Sequence, residues 1–318
     1  MKLKFTVLII VSVALYTLVS CKKSENPYVS KSVIDSLIAR QNPAVKNVAF
    51  IFKNDVYYLP AFNKEAIKIT NTPTAGKKFI KMSHNAQKFA FLNSTNRIEI
   101  IDKTGKQLSV LTQYSQVKSF DWSNNDETLY ILNNNSMAYY GPSMNLPEIR
   151  YGGSSSYSNQ VLSASVSAKG DFAYVFYAFN PFGLDYYKLI IAPANDPKEM
   201  VITSSEQSDE MAYVAFSSNE QDLVVGIKPR TTFNNKLLKL LLYTDLKKYP
   251  DYTFSESSYQ AYSTPKYNSN QNYMVCGYMQ NKSDSVKLHA YGFEKYKEKH
   301  QHLDQYYNTS DVIYTDWK

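Results

Sequence analysis

The sequence predicts an all-β protein in which six four-stranded antiparallel units form a closed array. A phrase of about ten residues, a small polar cluster followed by a short apolar run, recurs five times and is typical of a tight turn that leads into a strand. The copies begin at Ser83, Ser123, Ser167, Ser217 and Asn268. A large apolar residue, the anchor, precedes each copy: Met82, Trp122, Val166, Phe216 and Tyr267. Because the anchors are 40 to 51 residues apart, short strands recur with the period of a circular or stacked array.

The two ends of the chain predict that the array closes. The segment from Asp311 resembles the first strand of a unit, with Trp317 in the anchor position, 50 residues after Tyr267. The segment from Asn42 matches the turn and second strand of a unit. Pairing the C-terminal strand with this first unit removes two exposed sheet edges. The predicted fold is therefore a six-bladed β-propeller of four-stranded antiparallel blades, closed by that pairing.

One unit shows how the strands of a blade are arranged. In the second unit we predict strands at FIKM, QKFAFL, RIEII and QLSVLT, separated by the turns SHNA, NSTN and DKTGK. In the last of these turns, Gly105 suits a positive φ. Antiparallel order places the first and third turns on one face of the ring. The longest connections lie on the other face, which we call the long-loop face, and begin at Tyr151, Ala178, Lys228 and Gln280.

The repeated phrase resembles the W-S-P-D-G-K-x-I-A-F repeat of TolB-like propellers, which are relatives of the WD-repeat proteins. The resemblance covers roughly residues 41–318, and Trp122-Ser123 and Trp317 carry it best. The proline is absent from the five internal turns, and the glycine is retained only at Gly170. The resemblance implies a role in envelope assembly, in which a propeller contacts other envelope proteins.

The N-terminus predicts export. Lys2 and Lys4 precede an apolar run of 15 residues, which is shorter than the roughly 20 residues that span a membrane. The run ends in Leu18-Val19-Ser20-Cys21, which resembles the lipobox of bacterial lipoproteins and implies lipid attachment at Cys21. An ordinary signal peptide with a chance cysteine, or an uncleaved anchor, are the alternatives.

This N-terminal pattern divides the chain into three parts. We predict a lipoprotein signal peptide at 1–20, a lipid-anchored linker at 21–40 and the propeller at 41–318. The linker contains apolar residues at helical spacing after Ser30, which indicates a short helix or a tether with one helical turn. The expected location is the outer membrane of a Gram-negative bacterium, facing either the periplasm or the medium. The protein would then bind this membrane through the lipid attached to Cys21.

The long-loop face is the predicted binding surface, because loops on a rigid scaffold often carry binding residues. It is rich in aromatic side chains, which combine apolar area with hydrogen-bonding groups. The candidate ligand-binding residues are Tyr157, Tyr177, Phe179, Phe182, Tyr186, Arg230 and Phe233. Packing between blades is the alternative role for these aromatics, because tyrosine and phenylalanine are also favoured in strands.

The sequence contains no recognisable catalytic motif. It lacks a G-x-S-x-G elbow, an H-E-x-x-H helix and a phosphate-binding glycine loop, so we expect no catalytic residue and no cofactor. His300 and His302, with Asp304, are too few to predict a metal site. Cys276 lies in an apolar strand and is expected to be a buried core residue. The net charge of +7 comes from scattered lysines, and for an exported chain it does not indicate nucleic acid.

Three functions remain compatible with these features. The first is a non-catalytic envelope lipoprotein that binds a protein, peptide or glycan through the long-loop face. The second is a degenerate or divergent carbohydrate-active or peptidase-related propeller enzyme, which a metal requirement or polysaccharide turnover would reveal. The third is a structural subunit of an outer-membrane complex, which obligate co-purification would identify.

Overall fold

Antiparallel β-strands are the regular elements of the residues that the structure describes. The computed structural model describes residues 45–62, 64–114, 116–133, 136–141, 149–150, 160–167, 169–178, 186–192, 200–206, 209–217, 220–229, 239–243, 252–254, 261–268, 273–279, 285–294, 297–308 and 312–318. In these ranges there is no helix, and so none with the length and apolar character to cross a membrane. The predicted signal peptide, linker and lipid site at Cys21 lie outside them.

The described strands form six four-stranded sheets. The first sheet contains Lys46–Phe52 (β1), Asp55–Ala61 (β2), Ile67–Lys68 (β3) and Thr315–Trp317 (β24). The second contains Lys78–Met82 (β4), Lys88–Leu92 (β5), Ile98–Asp102 (β6) and Gln107–Leu111 (β7). The third contains Ser119–Trp122 (β8), Leu129–Leu132 (β9), Ser136–Tyr140 (β10) and Ile149–Arg150 (β11).

The other three sheets have the same sequential order. The fourth contains Gln160–Val166 (β12), Phe172–Ala178 (β13), Tyr186–Ala192 (β14) and Met200–Glu206 (β15). The fifth contains Asp209–Phe216 (β16), Leu223–Pro229 (β17), Lys239–Tyr243 (β18) and Tyr252–Phe254 (β19). The sixth contains Ala261–Asn268 (β20), Tyr273–Met279 (β21), Val286–Glu294 (β22) and Lys297–Asn308 (β23).

The first sheet joins the two ends of the described chain. Its strand order is β24-β1-β2-β3, and β24 pairs antiparallel with β1, with Val48 opposite Trp317 and Phe50 opposite Thr315. The indole nitrogen of Trp317 also donates a hydrogen bond to the carbonyl oxygen of Lys46, at 2.7 Å. Each sheet thus has one edge strand in which the anchor is the last or the next-to-last residue. We call β4, β8, β12, β16, β20 and β24 the inner strands.

The repeated serine of the turn has a local structural role. The hydroxyl oxygen of Ser83 accepts a hydrogen bond from the backbone N–H of Lys88 at 2.9 Å, across the turn between β4 and β5. Ser123, Ser167 and Ser217 each accept an equivalent bond in their own turns, at 3.0 to 3.1 Å. A serine that closes its own turn in this way favours the turn over continued strand. This contact explains why the polar cluster recurs.

The fourth residue of each of these turns has a left-handed backbone. Gly170 has a φ of 90°, but the equivalent residues Ala86, Asp126 and Glu220 have φ values of 54°, 58° and 62°. Only glycine adopts this conformation without steric cost. The glycine of the repeat is therefore lost from three turns without loss of the turn geometry.

Hydrophobic packing between neighbouring sheets holds the strands together. The six anchors are buried, with at most 5% of each side chain exposed. Clusters of buried apolar residues join each sheet to the next, as where Ile51 of the first sheet meets Phe89 of the second. A further cluster joins the sixth sheet to the first and includes Leu288 and Trp317. The described residues belong to one compact unit, Ala44–Lys318.

The second sheet confirms the predicted strand order within a unit. Strands β4 to β7 coincide with the four predicted segments, and Gly105 in the last turn has a φ of 85°. A side chain at Gly105 would collide with the carbonyl oxygen of Ile69 in the first sheet, which is a second reason for glycine there. Cys276 is fully buried, as predicted, and burial raises the pKa of its thiol.

Candidate functional site

A cavity of about 340 Å³ is bounded by the inner strands of all six sheets. Its wall includes one residue from each unit, located three positions before the anchor. These six wall residues are Phe79, Ser119, Ser163, Tyr213, Thr264 and Tyr314. Because side chains alternate along a regular strand, residues one and three positions before an anchor lie on the same side where no bulge separates them. The inner strands thus bring one position of the repeat from every unit to a common space, which we call the central cavity.

A layer of buried charge lies next to the central cavity. The residues one position before the anchors are Lys81, Asp121, Ser165, Ala215, Lys266 and Asp316. Four of these six are charged, and Lys318 joins them through an ion pair in which its Nζ is 2.7 Å from Oδ1 of Asp121. We call Lys81, Asp121, Lys266, Asp316 and Lys318 the charged layer.

Lys81 connects the carboxylates of this layer. Its Nζ is 3.1 Å from Oδ2 of Asp121 and 3.6 Å from Oδ1 of Asp316. The side chains of Asp121 and Asp316 are 2% and 0% exposed, whereas that of Lys81 is 15% exposed and also lines the central cavity. Ion pairs this deeply buried persist only when each charge has a partner.

The ionisation of the layer follows from these contacts. Burial opposes the charge of Lys81, but Asp121 and Asp316 outweigh it and raise the pKa of the ammonium. Burial likewise opposes ionisation of Asp121, but Lys318, Lys81 and Lys266 lower the pKa of its carboxyl far below the usual value. Both groups are therefore charged at neutral pH.

Lys266 is the exception within the layer. It is 4% exposed, and within the described part of the chain its ammonium makes no hydrogen bond or ion pair. Burial, together with repulsion from Lys81 and Lys318, lowers its pKa to about 8. The charged layer thus contains three lysines and two aspartates. An unpartnered buried cation is costly, and it favours an anion that could approach it.

Side chains of the wall and the charged layer also satisfy the backbone of the inner strands. An inner strand is the edge of its sheet, so its outward N–H groups need partners. Oδ2 of Asp316 accepts a hydrogen bond from Met82 N at 2.9 Å, and the hydroxyl of Ser165 accepts one from Phe216 N at 3.0 Å. In the wall, Thr264 accepts one from Thr315 N at 2.8 Å. Each contact links one sheet to the next.

One oxygen of Asp316 has no such partner. Among the described residues Oδ1 accepts no hydrogen bond, although it faces Lys81. The charged layer therefore contains a buried oxygen that accepts no hydrogen bond, and also Lys266, which forms no hydrogen bond or ion pair with another described residue. Such incompletely satisfied groups are uncommon in protein interiors and often mark functional regions.

Two wall residues have a strained backbone. Phe79 has a φ of 52° and Thr264 a φ of 41°, and both lie where the pairing of the inner strand is interrupted by a bulge. A bulge redirects a side chain, and a β-branched or bulky residue at positive φ is unusual. Such strain often occurs at functional sites. The wall therefore combines conformational strain with a shared position in the repeat.

The wall has an aromatic part and a hydroxyl part. The rings of Phe79 and Tyr314 are 5.1 Å apart, and Phe79 is 41% exposed. Tyr213 lies close to the charged layer, and burial raises the pKa of its phenol. Ser119, Ser163 and Thr264 contribute hydroxyl groups. The cavity can therefore contact an apolar body and offer hydrogen bonds to a polar group.

A much smaller space lies on the turn side of the charged layer. It measures about 10 Å³, roughly one water molecule, and is lined by Asp121, Lys266, Lys318 and His84, among others. Asp126 of the next turn accepts a hydrogen bond from the backbone N–H of His84 at 2.6 Å. The charged layer therefore separates this space from the larger central cavity.

The structure describes two of the seven predicted ligand-binding residues in part. Tyr177 lies in β13, partly buried, with its ring 5.3 Å from that of Tyr187. This packing agrees with the alternative role of these aromatics. Tyr186 is the first residue of β14, opposite Ala178. The others lie outside the described residues: Tyr157, Phe179, Phe182, Arg230 and Phe233.

The expectation that His300 and His302 form no metal site stays a prediction. His300 and His302 lie in β23, where the backbone of His302 pairs with that of His289. Within the described ranges, no group of three histidine, cysteine, aspartate or glutamate side chains is placed to hold a metal ion.

Sequence reasoning missed the wall and the charged layer. The repeat was recognised from its turn and anchor, and those positions are chemically similar in each copy. The residues one and three positions before the anchor differ from copy to copy, so they give no repeat signal. Counting back from each anchor would have selected them, because residues at the same distance from the anchor lie at equivalent positions of the inner strands.

Comparisons with known proteins identify the fold. No model of a known protein family matches the chain, and no curated protein matches it. A solved chain of a nidogen/laminin complex is 10% identical, with a TM-score of 0.57 over 84% of this chain and 96% of that one. Oligogalacturonate lyase in complex with manganese is 8% identical, with a TM-score of 0.51 over 81% of this chain and 74% of the other. Both are propellers, and likeness at this identity shows the fold alone: the chain has a β-propeller fold.

Proposed function

We propose that this protein is a non-catalytic binding module that uses the central cavity and the long-loop face of its propeller. The observation that carries the proposal is the cavity of about 340 Å³, to which the inner strand of every sheet contributes. This volume is at the lower end of ligand pockets, which typically measure about 300–1,000 Å³. The positive φ of Phe79 and Thr264 supports a role in binding, because backbone strain in proteins is concentrated at functional sites.

We infer that the six sheets are the blades of one ring, closed by β24. The pairing of β24 with β1 and the apolar cluster between the sixth and first sheets support this inference. Deleting residues 312–318 would remove Asp316 and Trp317 and expose two sheet edges. We expect the truncated chain to lose its cooperative thermal transition, measured by circular dichroism. Retention of the transition would contradict closure.

We further propose that the protein is exported and anchored to the envelope by lipid on Cys21, with the outer membrane as its location. The basic start, the apolar run and Leu18-Val19-Ser20-Cys21 support this. Metabolic labelling with an alkyne-bearing palmitate, followed by membrane fractionation, tests it. The native chain should be labelled and sediment with outer membranes, and Cys21→Ala should be unlabelled. Equal labelling of both would refute the anchor.

The binding partner is proposed to be an envelope protein, peptide or glycan. Chemical crosslinking in the native envelope, followed by affinity purification, is the test. Phe79→Ala with Tyr314→Ala alters the aromatic wall, and Ile67→Ala with Leu108→Ala is the matched control, because these two apolar residues are 52% and 49% exposed. Loss of a partner in the wall variant alone supports binding at the cavity. Retention of the partner in the wall variant would contradict it.

A third variant tests the long-loop face directly. Phe182→Ala with Arg230→Ala changes two of the predicted loop residues without altering the described wall. Loss of the same partner in this variant would extend the binding surface from the cavity to the loops. Obligate co-purification of one outer-membrane complex in every variant would instead favour the structural-subunit role.

An enzyme of the carbohydrate-active or peptidase-related kind is the alternative proposal. The protein is similar in fold to oligogalacturonate lyase, and the likeness concerns the fold alone. Cleavage of an oligogalacturonate is therefore the first reaction to test. Incubation with an oligogalacturonate, with and without manganese, should give no cleavage product if the binding role is correct. Manganese-dependent product formation would overturn that role.

A further inference from the structure

The charges that border the central cavity are the basis of a more specific inference about its ligand. Among the described residues that line the cavity, the charged side chains are Lys81 and Lys118, and no carboxylate is present. Lys81 makes one hydrogen bond, to Asp121, so its ammonium retains donors for another acceptor. The charged groups that border the cavity directly, among the described residues, are therefore ammonium groups.

The two cavity lysines are independent of each other. Within the charged layer, Lys81 lines the central cavity, whereas Asp121, Lys266 and Lys318 line the small space on the turn side. Lys118 lies outside the charged layer and borders the central cavity from a different part of the chain. Both lysines indicate a ligand with a negative charge.

The remaining lining residues restrict the rest of the ligand. The walls are mainly apolar and aromatic, as at Leu162, Val214 and Phe120, with hydroxyls at the wall residues. The described lining contains no asparagine, glutamine, arginine, aspartate or glutamate, which are the side chains that pair with several sugar hydroxyls at once. An apolar chain with one acidic group fits this lining better than a glycan does.

We propose that the central cavity binds a carboxylate carried by an apolar peptide segment, with the carboxylate at Lys81 and Lys118. This inference rests on the proposed binding function and specifies its ligand. The peptide carboxylate can be a chain terminus or the side chain of aspartate or glutamate. The chemistry at Lys81 is the same in both cases, a charge-assisted hydrogen bond from ammonium to carboxylate.

The test uses the full-length protein and immobilised random hexapeptides of apolar composition in three matched sets. The first set has a free C-terminal carboxylate and no acidic side chain. The second is amidated and contains one aspartate or glutamate, and the third is amidated without any acid. We expect the first or the second set to bind at least about tenfold more tightly than the third, which corresponds to one hydrogen bond to a charged group. The stronger of the two sets identifies the source of the carboxylate.

Variants locate the binding to the cavity. Lys118→Gln removes a cavity ammonium that no described carboxylate pairs with, and Lys103→Gln removes the same charge from an exposed turn as the matched control. Lys81→Gln is combined with Asp316→Asn, because the asparagine still accepts from Met82 N, and Asp121, which also contacts Lys81, keeps its ion pair with Lys318. We expect the cavity variants to lose the preference for acidic peptides and the Lys103 variant to keep it.

The outcomes separate this inference from the proposed function. Equal binding of all three peptide sets, or binding of none of them together with binding of an immobilised trigalacturonate, would overturn the peptide carboxylate. If an envelope partner is still captured through the wall in the crosslinking experiment, the binding role stands without it. An acid preference that Lys118→Gln and the Lys81 double variant leave unchanged would also overturn the inference.

Discussion

The wall and the charged layer are made by the same six inner strands, two residues apart, yet they differ in chemistry. Most residues one position before the anchor are buried, and some of them form ion pairs, such as Lys81 to Asp121. Residues three positions before it border the central cavity and include Phe79 and Thr264, whose backbones have a positive φ. The comparison indicates that one layer links neighbouring sheets and that the other borders an open space.

The largest expected effect comes from breaking the charged layer at Asp316. Asp316→Ala removes the acceptor for Met82 N and one carboxylate facing Lys81. Removing one partner of a buried ion pair typically costs about 3–5 kcal/mol, so we expect a loss of that size in the free energy of unfolding. Denaturation in urea measures it, with Asp316→Asn as the control that keeps the acceptor. A loss below about 1 kcal/mol would assign no structural role to the layer.

Lys266 provides a pH test of the same layer. Because its pKa in the folded chain is about 8, below the ordinary value of 10.5, the unfolded chain binds the proton more tightly. Below pH 8 Lys266 is charged in both the folded and the unfolded chain, and its burial fully destabilises the fold. As the pH rises from 8 toward 10.5, the folded chain loses this proton and the destabilisation disappears. We expect the free energy of unfolding to increase by on the order of 1–2 kcal/mol between pH 7.5 and 9.5.

Lys266→Met isolates this contribution. The groups that act on Lys266 are Lys81, Lys318, Asp121 and Asp316, and they remain in the variant. Thermal or urea unfolding of Lys266→Met should show a smaller increase over the same pH range and greater stability at pH 7.5. An unchanged pH dependence would assign the effect to other groups.

Two serines compare the layers directly. Ser165 in the buried layer accepts from Phe216 N at 3.0 Å, and Ser163 in the wall accepts from Val214 N at 3.1 Å. Ser165→Ala leaves a buried N–H unsatisfied, at a cost of about 1–3 kcal/mol. At Ser163 the cavity lets water replace the hydroxyl, so we expect less than about 1 kcal/mol. Equal losses for the two variants in urea unfolding would remove the distinction between the layers.

The smallest expected change in stability is at Phe79. Phe79→Gly relieves a left-handed backbone, which costs about 1–2 kcal/mol, and removes a side chain that is 41% exposed. We therefore expect the free energy of unfolding to change by less than about 1 kcal/mol, whereas ligand binding falls. Phe91→Ala, at a fully buried site, is the control and should cost about 3–5 kcal/mol. A comparable loss for Phe79→Gly would show that this residue stabilises the core.

The fold was more predictable than the site, for a physical reason. In each unit the serine accepts a hydrogen bond within its turn and the anchor fills a buried position. The same residue types therefore recur: Ser83 and Ser217 are identical, and Met82 and Phe216 are both large and apolar. The all-β class and the propeller arrangement follow from that repetition. Lys81 and Asp316, by contrast, form a contact that occurs at one place in the fold, between residues 235 positions apart in the sequence. No window of sequence contains both partners.

The predicted loop residues are in a different position. Tyr177 packs in a strand, and five of the seven candidates lie outside the described residues, so the long-loop face stays a prediction. The central cavity was missed because its wall residues occupy the same position in each unit but differ in residue type. Phenylalanine at 79 and serine at 163 become neighbours of one space only when the inner strands converge.

The contacts of Asp316 and Lys318 also set an order of events during synthesis. Met82 N bonds to Asp316 across 234 residues, and Lys318 bonds to Asp121 across 197. A nascent chain that has not yet reached residue 316 therefore holds Lys81 without one of its two carboxylates and Met82 without its acceptor. Contacts of such long range form slowly. If translation stops before residue 316, the edges of β1 and β4 and the ammonium of Lys81 lack the contacts that Asp316 and Trp317 make. We expect such truncated chains to be bound by chaperones or degraded by proteases, because they expose apolar surface and unpaired strand edges.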